Sequence, residues 1–145
     1  MLNVYKRFNS YLADLVVEYL KLHDLHWNVK GKHFVEVHKY TEGLYENLSE
    51  KFDEVAERMI MSGVQPISTI KEYLELAEIK ELGKKVYRDE EVLKEVLSDL
   101  KILREKLLSI RSEFEKEGVI AEVNLIDSHV EYFDKEIWFL DSMLK

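Results

Sequence analysis

Apolar residues recur every three to four positions along four long stretches of this chain, and polar residues fill the positions between them. This spacing is typical of amphipathic helices that bury one face. Glycine follows the first two stretches, at Gly31 and Gly63, and Pro66 comes soon after the second, as expected after helix ends. The four predicted helices run from about Asn3 to Asn28, from about His33 to Ser62, from after Asp89 to Gly118, and from about Ala121 to Met143.

A long connection separates the second and third predicted helices. Ser68 and Thr69 within it are suitable caps for a short helix that extends through Glu78. Four long helices with a short extra one predict an all-α four-helix bundle, formed by a single domain over residues 1–145. The long link also allows a crossover connection, as in ferritin-like topologies.

Composition supports long helices and excludes several kinds of site. The 145 residues include one proline and five glycines, so helices can run without interruption. The absence of cysteine excludes disulfides, iron–sulfur clusters and thiolate zinc sites. It also fits a reducing cytosol, and we expect a cytoplasmic protein.

The charge balance is acidic. A net charge of −8 disfavours nucleic-acid binding through the body of the protein, because phosphate contacts need clustered lysine and arginine. An acidic shell is better suited to attracting cations. The N-terminal segment is interrupted by Lys6, Arg7 and Asp14, so it has neither a signal-peptide core nor a membrane span.

The second predicted helix carries two pairs of metal-binding residue types. His38 and Glu42 lie four positions apart, and so do Asp53 and Glu57. At 100° per residue the four side chains fall at about 0°, 40°, 60° and 100°, on one face of the helix. At about 1.5 Å per residue, Glu42 and Asp53 lie roughly 16 Å apart along the axis, too far to share an ion. A two-fold related, antiparallel copy would complete both halves, which predicts a metal site shared between subunits.

Four of the five histidines lie between the end of the first helix and the start of the second. An isolated histidine pair more often packs in a core or faces solvent than binds a metal. The metal interpretation gains weight because Glu42 follows His38 on one face, and because His26 can approach His38 across the turn. Nitrogen and carboxylate ligands together suit iron, manganese or zinc. The four histidines are His23, His26, His33 and His38.

The acidic pair also has an ordinary interpretation. In a chain with 34% charged residues, two acids four positions apart are usually solvated. Asp53 and Glu57, however, adjoin the apolar stripe of Phe52 and Val55, and a like-charge pair at an interface needs a cation. The Glu-x-x-His pair of an intrasubunit di-iron bundle is absent from the sequence, which excludes that site and favours a shared one.

These residues resemble the signature of the Dps miniferritins, the DNA-binding proteins from starved cells. The resemblance is carried by the segment from Leu22 to Gly31, by Phe34, His38 and Glu42, and by the segment from Asp53 to Arg58. The motif covers about a quarter of the chain, and the pattern of helices extends the likeness to nearly all of it.

The resemblance implies a function and a set of catalytic metal ligands. His26, His38 and Glu42 would bind iron from one subunit, and Asp53 and Glu57 would come from its two-fold mate. The family implies a hollow dodecamer that oxidises Fe(II), with hydrogen peroxide preferred to oxygen, and stores Fe(III) mineral. It would thereby protect against oxidative damage.

The chain departs from the family pattern at Glu42, in its N-terminal segment and at Asn124. Glu42 stands where many members have aspartate. Many DNA-binding members have a lysine-rich N-terminal tail, but Lys6 and Arg7 alone do not form one, so DNA binding is not expected. A DNA-compacting protein with little ferroxidase activity, and a metal-free helical interaction module, are the alternatives.

Secondary roles are suggested for residues near the site and near the start of the last helix. Trp27, beside His26, either packs or intercepts oxidising species. Family members admit iron through acidic pores near the start of the last helix, where Asn124 takes the place of one aspartate. Acidic residues there are also ordinary partners of the helix dipole. The pore candidates are Glu122, Asp127 and Glu131.

Overall fold

The computed structural model describes residues 1–83 and 85–145, and it confirms the predicted all-α bundle. The four long helices and the short one follow in the predicted order. The helices are α1 (Leu2–Asn28), α2 (Phe34–Met61), α3 (Ile70–Leu76), α4 (Asp89–Lys116) and α5 (Ile120–Met143), and two short strands are β1 (Val29–Lys30) and β2 (Tyr87–Arg88).

The chain crosses from one end of the bundle to the other between α2 and α4. Helix α1 packs against α2 and α4, and α4 packs against α5. Strand β1 at the end of α1 pairs in parallel with β2, with Val29 opposite Tyr87 and Lys30 opposite Arg88. Helices α2 and α4 therefore start at the same end of the bundle, which is the crossover that the long link allowed.

Buried apolar side chains from all four long helices form one cluster. Aromatic rings fill part of it: Phe8 and Phe114 meet edge to face with centroids 5.4 Å apart, and Tyr5 contacts Phe114 similarly at 5.0 Å. The three-to-four spacing of apolar residues thus matches the faces that the helices bury. No helix among the described residues is both long and apolar enough to cross a membrane.

Two helices end at the predicted glycines. Gly63 and Gly118 have φ values of +78° and +73°, a region that favours glycine. After Gly63, the amide of Val64 donates to the carbonyl oxygen of Met59. After Gly118, the amide of Val119 donates to the carbonyl oxygen of Phe114. These are Schellman-type caps that satisfy the last carbonyl groups of α2 and α4.

The short helix has the predicted start and an earlier end. Thr69 caps α3 by accepting from the amide of Glu72 at 3.3 Å. The helix stops at Leu76 rather than Glu78, because the amides of Glu78 and Ile79 donate to Asp14 Oδ1 at 2.6 and 3.0 Å. The connection is thereby attached to α1 instead of continuing as a helix.

Helix α1 ends differently from the sequence-based expectation. Val29 is extended at the end of α1 and enters the β1–β2 pair, so Gly31 is not a left-handed cap immediately after the helix. Gly31 has φ of +148° and lies over Asp89, where a Cβ atom would be 2.5 Å from Oδ2. The carboxylate of Asp89 also accepts from the amide of His33 at 3.1 Å. Glycine is therefore required at position 31 because the backbone approaches Asp89 closely, and not because it caps the helix.

Candidate metal centre

The end of α1 and the start of α2 bring His26 and His38 into direct contact. Their rings stack with centroids 3.6 Å apart and an interplanar angle of 15°. His26 Nδ1 lies 2.6 Å from the carbonyl oxygen of His38, and His38 Nδ1 lies 2.9 Å from that of His26. Because a carbonyl only accepts, both Nδ1 atoms carry the proton. Both Nε2 lone pairs are then free to bind a metal.

Thr41 completes the support of the histidine pair. Its buried hydroxyl oxygen lies 3.1 Å from His26 Nδ1 and 2.9 and 3.0 Å from the carbonyl oxygens of Val37 and His38, which share its single hydrogen. Burial lowers the pKa of His26, while the charge of Glu42 acts in the opposite direction. His26 is therefore neutral at pH 7, the form that binds metals. Sequence reasoning missed Thr41, since a threonine about two turns into a helix carries no distinctive signal.

The other two histidines of the cluster do not join the pair. His23 Nδ1 bonds to the carbonyl oxygen of Tyr19 at 2.8 Å, and its ring stacks on Tyr45 at 3.8 Å. His33 is exposed and lies 3.2 Å from Glu36. Trp27 is 66% exposed, with its ring 5.4 Å from that of His23. The four histidines thus divide into one stacked pair, His26 and His38, and two neighbours.

The acidic half lies further along α2. Asp53 and Glu57 are both exposed. The charge of Asp53 raises the pKa of Glu57, and a hydrogen bond between the two carboxyl groups acts in the same direction. Two carboxyl groups that repel each other in this way would gain from a shared cation.

Helix α2 is unbroken from Phe34 to Met61, so it holds the two halves at a fixed separation. Within residues 1–83 and 85–145, no group of three or more histidine and acidic side chains is placed to hold a metal ion. Within one chain, His26 and His38 are in contact at one position, and Asp53 and Glu57 interact at another, with the charge of Glu42 acting on His26. The assignment of these five residues as ligands stays a prediction.

The three pore candidates lie in different environments. Glu122 is buried, where its carboxylate accepts from Tyr5 and, at 2.7 Å, from Ser62, and lies 3.5 Å from Arg58. These contacts inside the chain account for Glu122 without a pore. Asp127 is exposed and pairs with Arg111 at 2.5 Å, and Glu131 is exposed. Asn124 is also exposed.

Comparison with known proteins places this chain in a family. The sequence model of the family described as the ferritin-like domain matches residues 5–145 of this chain. A DNA protection during starvation protein of Helicobacter pylori is 37% identical over 132 residues, covering 91% of this chain and 92% of that protein. The crystal structure of antigen TpF1 from Treponema pallidum has a TM-score of 0.96 and 30% identity, covering 99% of this chain and 92% of that chain.

A further solved structure, the Dps protein of Vibrio cholerae, has a TM-score of 0.94 and 27% identity, covering 99% of this chain and 90% of that chain. That protein is described as a member of a broad superfamily of ferritin-like diiron-carboxylate proteins. The bundle with its crossover is thus a ferritin-like domain. Within that class, this chain belongs to the Dps family.

Proposed function

We propose that this protein oxidises and stores iron at sites shared between two-fold related subunits. The observation that carries the proposal is the stacked pair of His26 and His38, with each Nδ1 bonded to a backbone carbonyl group and each Nε2 free. Metal-binding histidines are commonly oriented in this way. Fe(II) is the substrate, and nitrogen with carboxylate ligands can hold both of its oxidation states.

Each residue has a defined part in this proposal. The imidazoles of His26 and His38 bind Fe(II) through Nε2, and the carboxylate of Glu42 adds negative charge beside them. Asp53 and Glu57 of the two-fold mate supply the remaining carboxylates. A cation bound between these two carboxylates would offset the repulsion between them. Two Fe(II) ions held together give two electrons to one hydrogen peroxide molecule, which takes up two protons and forms two water molecules. This route bypasses the one-electron step that releases hydroxyl radical.

We further propose that the subunits form a closed dodecamer that stores the Fe(III) product as mineral. A shared site requires at least a dimer, and the family relationship supports the larger assembly. Removing Fe(II) and peroxide together would protect a bacterial or archaeal cytoplasm against oxidative damage. The name of the H. pylori relative, a DNA protection during starvation protein, supports this protective role.

A subunit-mixing experiment tests the shared site. His38→Ala damages the half of the site formed by the histidines, and Glu57→Ala damages the half formed by the acidic pair. Each variant alone should therefore lose most of its rapid Fe(II) oxidation. When the two are unfolded, mixed and reassembled, each mixed dimer has one doubly damaged site and one intact site. Random pairing makes about half of the dimers mixed, so roughly a quarter of wild-type sites should return. Stopped-flow absorbance measures the rate, and hydrogen peroxide should act faster than oxygen.

The control is Glu105→Ala, which removes an exposed carboxylate on α4 far from both halves of the site in sequence. It should oxidise iron as the wild type does, before and after reassembly. If mixed assemblies with correct mass and helicity recover no activity, each site lies within a single chain, and the shared-site proposal fails.

A further inference from the structure

A hydrogen-bonded chain leads from the core of the bundle to its surface, away from the histidine pair. Tyr11 on α1 and His129 on α5 are both fully buried. The phenol oxygen of Tyr11 lies 2.9 Å from His129 Nδ1, and His129 Nε2 lies 3.2 Å from Glu54 Oε1 on α2. Three helices thus contribute one side chain each.

The direction of these hydrogen bonds follows from the partners. The exposed carboxylate of Glu54 only accepts, so His129 Nε2 carries the proton. His129 Nδ1 then accepts from the phenol of Tyr11. Burial lowers the pKa of His129 to about 3, and the charge of Lys51 acts in the same direction, so the resting imidazole is neutral.

This arrangement solves a specific problem of phenol oxidation. A buried phenol that loses an electron becomes a cation, and an uncompensated charge in the core is very costly. The loss becomes feasible when the phenol proton leaves at the same time, and a radical cation of phenol is a far stronger acid than imidazolium. Here the phenol oxygen and His129 Nδ1 are 2.9 Å apart, so the proton can move along an existing hydrogen bond. The carboxylate of Glu54 would stabilise the resulting imidazolium, as the aspartate of a Ser-His-Asp catalytic triad stabilises its protonated histidine.

We propose that Tyr11 is a redox-active tyrosine, with His129 as its proton acceptor and Glu54 as the group that orients His129. One electron leaves Tyr11 for a strong oxidant, such as an oxidised tryptophan or a hydroxyl radical, and the phenol proton moves to Nδ1. No bond to carbon forms or breaks. When Fe(II) or another reductant returns the electron, the proton returns to the phenoxyl oxygen. The inference rests on the proposed function only for the source of such oxidants in the cell.

Tyr40 is the natural comparison. Its phenol donates to Glu136 Oε2 at 2.6 Å, so it also has a proton acceptor, but it is only partly buried. The ring of Tyr11 is enclosed and lies parallel to that of Phe8, with centroids 6.2 Å apart. A phenoxyl radical at Tyr11 would therefore be shielded from other radicals, whereas one at Tyr40 would not.

The test uses iron-free assembled protein, so its result does not depend on iron oxidation. Azide radicals made by pulse radiolysis oxidise exposed indoles, and Trp27 and Trp138 are 66% and 63% exposed. The indolyl absorbance should decay into a long-lived tyrosyl absorbance at a rate independent of protein concentration and slower in D₂O. Tyr11→Phe should lose most of this long-lived signal, and Tyr40→Phe should keep it.

Two further variants separate proton transfer from structural support. His129→Asn offers an oxygen that accepts a hydrogen bond but takes no proton, so the long-lived signal should be lost. Glu54→Gln changes only the exposed end of the chain of hydrogen bonds, and it should shorten the lifetime of the radical without changing helicity. The proposal is overturned if the wild type forms no long-lived tyrosyl radical, or if Tyr11→Phe retains it. An unchanged lifetime in Glu54→Gln would remove the role of that residue.

Discussion

A buried carboxyl group between α1 and α4 has an unusual environment. Glu18 is fully buried, and neither of its carboxyl oxygens has a hydrogen-bond partner within the described part of the chain. Burial raises its pKa well above the usual range, and the charge of Asp99 adds to this. Lys21, also buried, lies 2.8 Å from Asp99 and 3.3 Å from Glu95, so its charge is already shared with other acids. Glu18 is therefore most stable as the neutral acid.

We predict that Glu18→Gln stabilises the protein at pH 8 but not at pH 4. A carboxyl group with a raised folded pKa contributes stability below its unfolded pKa, near 4.3, and loses it as the pH rises toward the folded pKa. Glutamine has the same shape and cannot ionise, so it avoids this loss, by roughly 1–3 kcal/mol. Guanidinium unfolding at the two pH values measures the effect. Glu105→Gln is the exposed control, and equal destabilisation of Glu18→Gln at both pH values would contradict the prediction.

Sequence reasoning could place His38, Glu42, Asp53 and Glu57 on one helix, and their role as ligands stays a prediction. It could not find Glu18 or His129, because their burial depends on which helix faces pack together. A single acid or histidine in a predicted amphipathic helix is ordinarily placed at the boundary or in solvent. Only the contact between α1 and α4, or between α1 and α5, shows that these polar groups lie inside.

At the scale of elements, the corner between α1 and α2 is held by the start of α4. The β1–β2 pair joins Val29 to Tyr87, and Asp89 accepts from the amide of His33. The same corner carries the His26–His38 pair. The geometry of the candidate metal centre therefore depends on a contact with a segment more than fifty residues away.

We predict that Gly31→Ala weakens both folding and metal binding. A methyl group at Gly31 would meet Asp89 Oδ2 at 2.5 Å, and the φ of +148° is itself unfavourable for alanine. We expect a loss of about 1–3 kcal/mol in the free energy of unfolding and weaker binding of Co(II). The control is Gly43→Ala, since Gly43 lies in α2 with open space around it. That change should stabilise the helix by about 0.5–1 kcal/mol. Thermal melting measures the stability of both variants, and calorimetry measures their binding of Co(II). If the two variants have the same stability and bind Co(II) equally, the corner between α1 and α2 does not set the geometry of the metal centre.

The ends of the helices were predictable to within about two residues, because Gly63 and Gly118 are local signals for helix termination. The termination of α3 at Leu76 and the pairing of β1 with β2 were not predictable. Both depend on hydrogen bonds between distant segments, from Glu78 and Ile79 to Asp14 and between β1 and β2. Local spacing of apolar residues contains no information about such bonds.

At the scale of the whole molecule, large apolar side chains lie on the surface of the single chain. Ile120 at the start of α5 is 74% exposed, and Ile70 and Leu74 on α3 are 77% and 59% exposed. Exposed apolar groups of this size commonly mark protein interfaces. They are consistent with a surface that other subunits cover.

We predict an assembly of about twelve subunits, with a mass of about 208 kDa from the 17.3 kDa chain. Sedimentation velocity over a concentration series in the micromolar range measures the mass. A closed assembly should give one boundary that does not shift on dilution, because its subunits have no free edges to exchange. A monomer or an isolated dimer at these concentrations would contradict the storage of iron in a cage.

The charge of the assembly leads to a prediction about DNA. Each chain carries a net charge of −8, and twelve copies multiply it on one particle. The surface would repel phosphate groups, and at about 0.15 M salt the range of attraction to a few local lysines is limited to about 8 Å. We therefore predict no retardation of duplex DNA in a gel shift at that salt and neutral pH with EDTA present. The chelator is necessary because divalent cations bridge two acidic surfaces. Retardation in EDTA would favour the DNA-compacting alternative, whereas retardation that appears only with added Mg²⁺ would identify such a bridge.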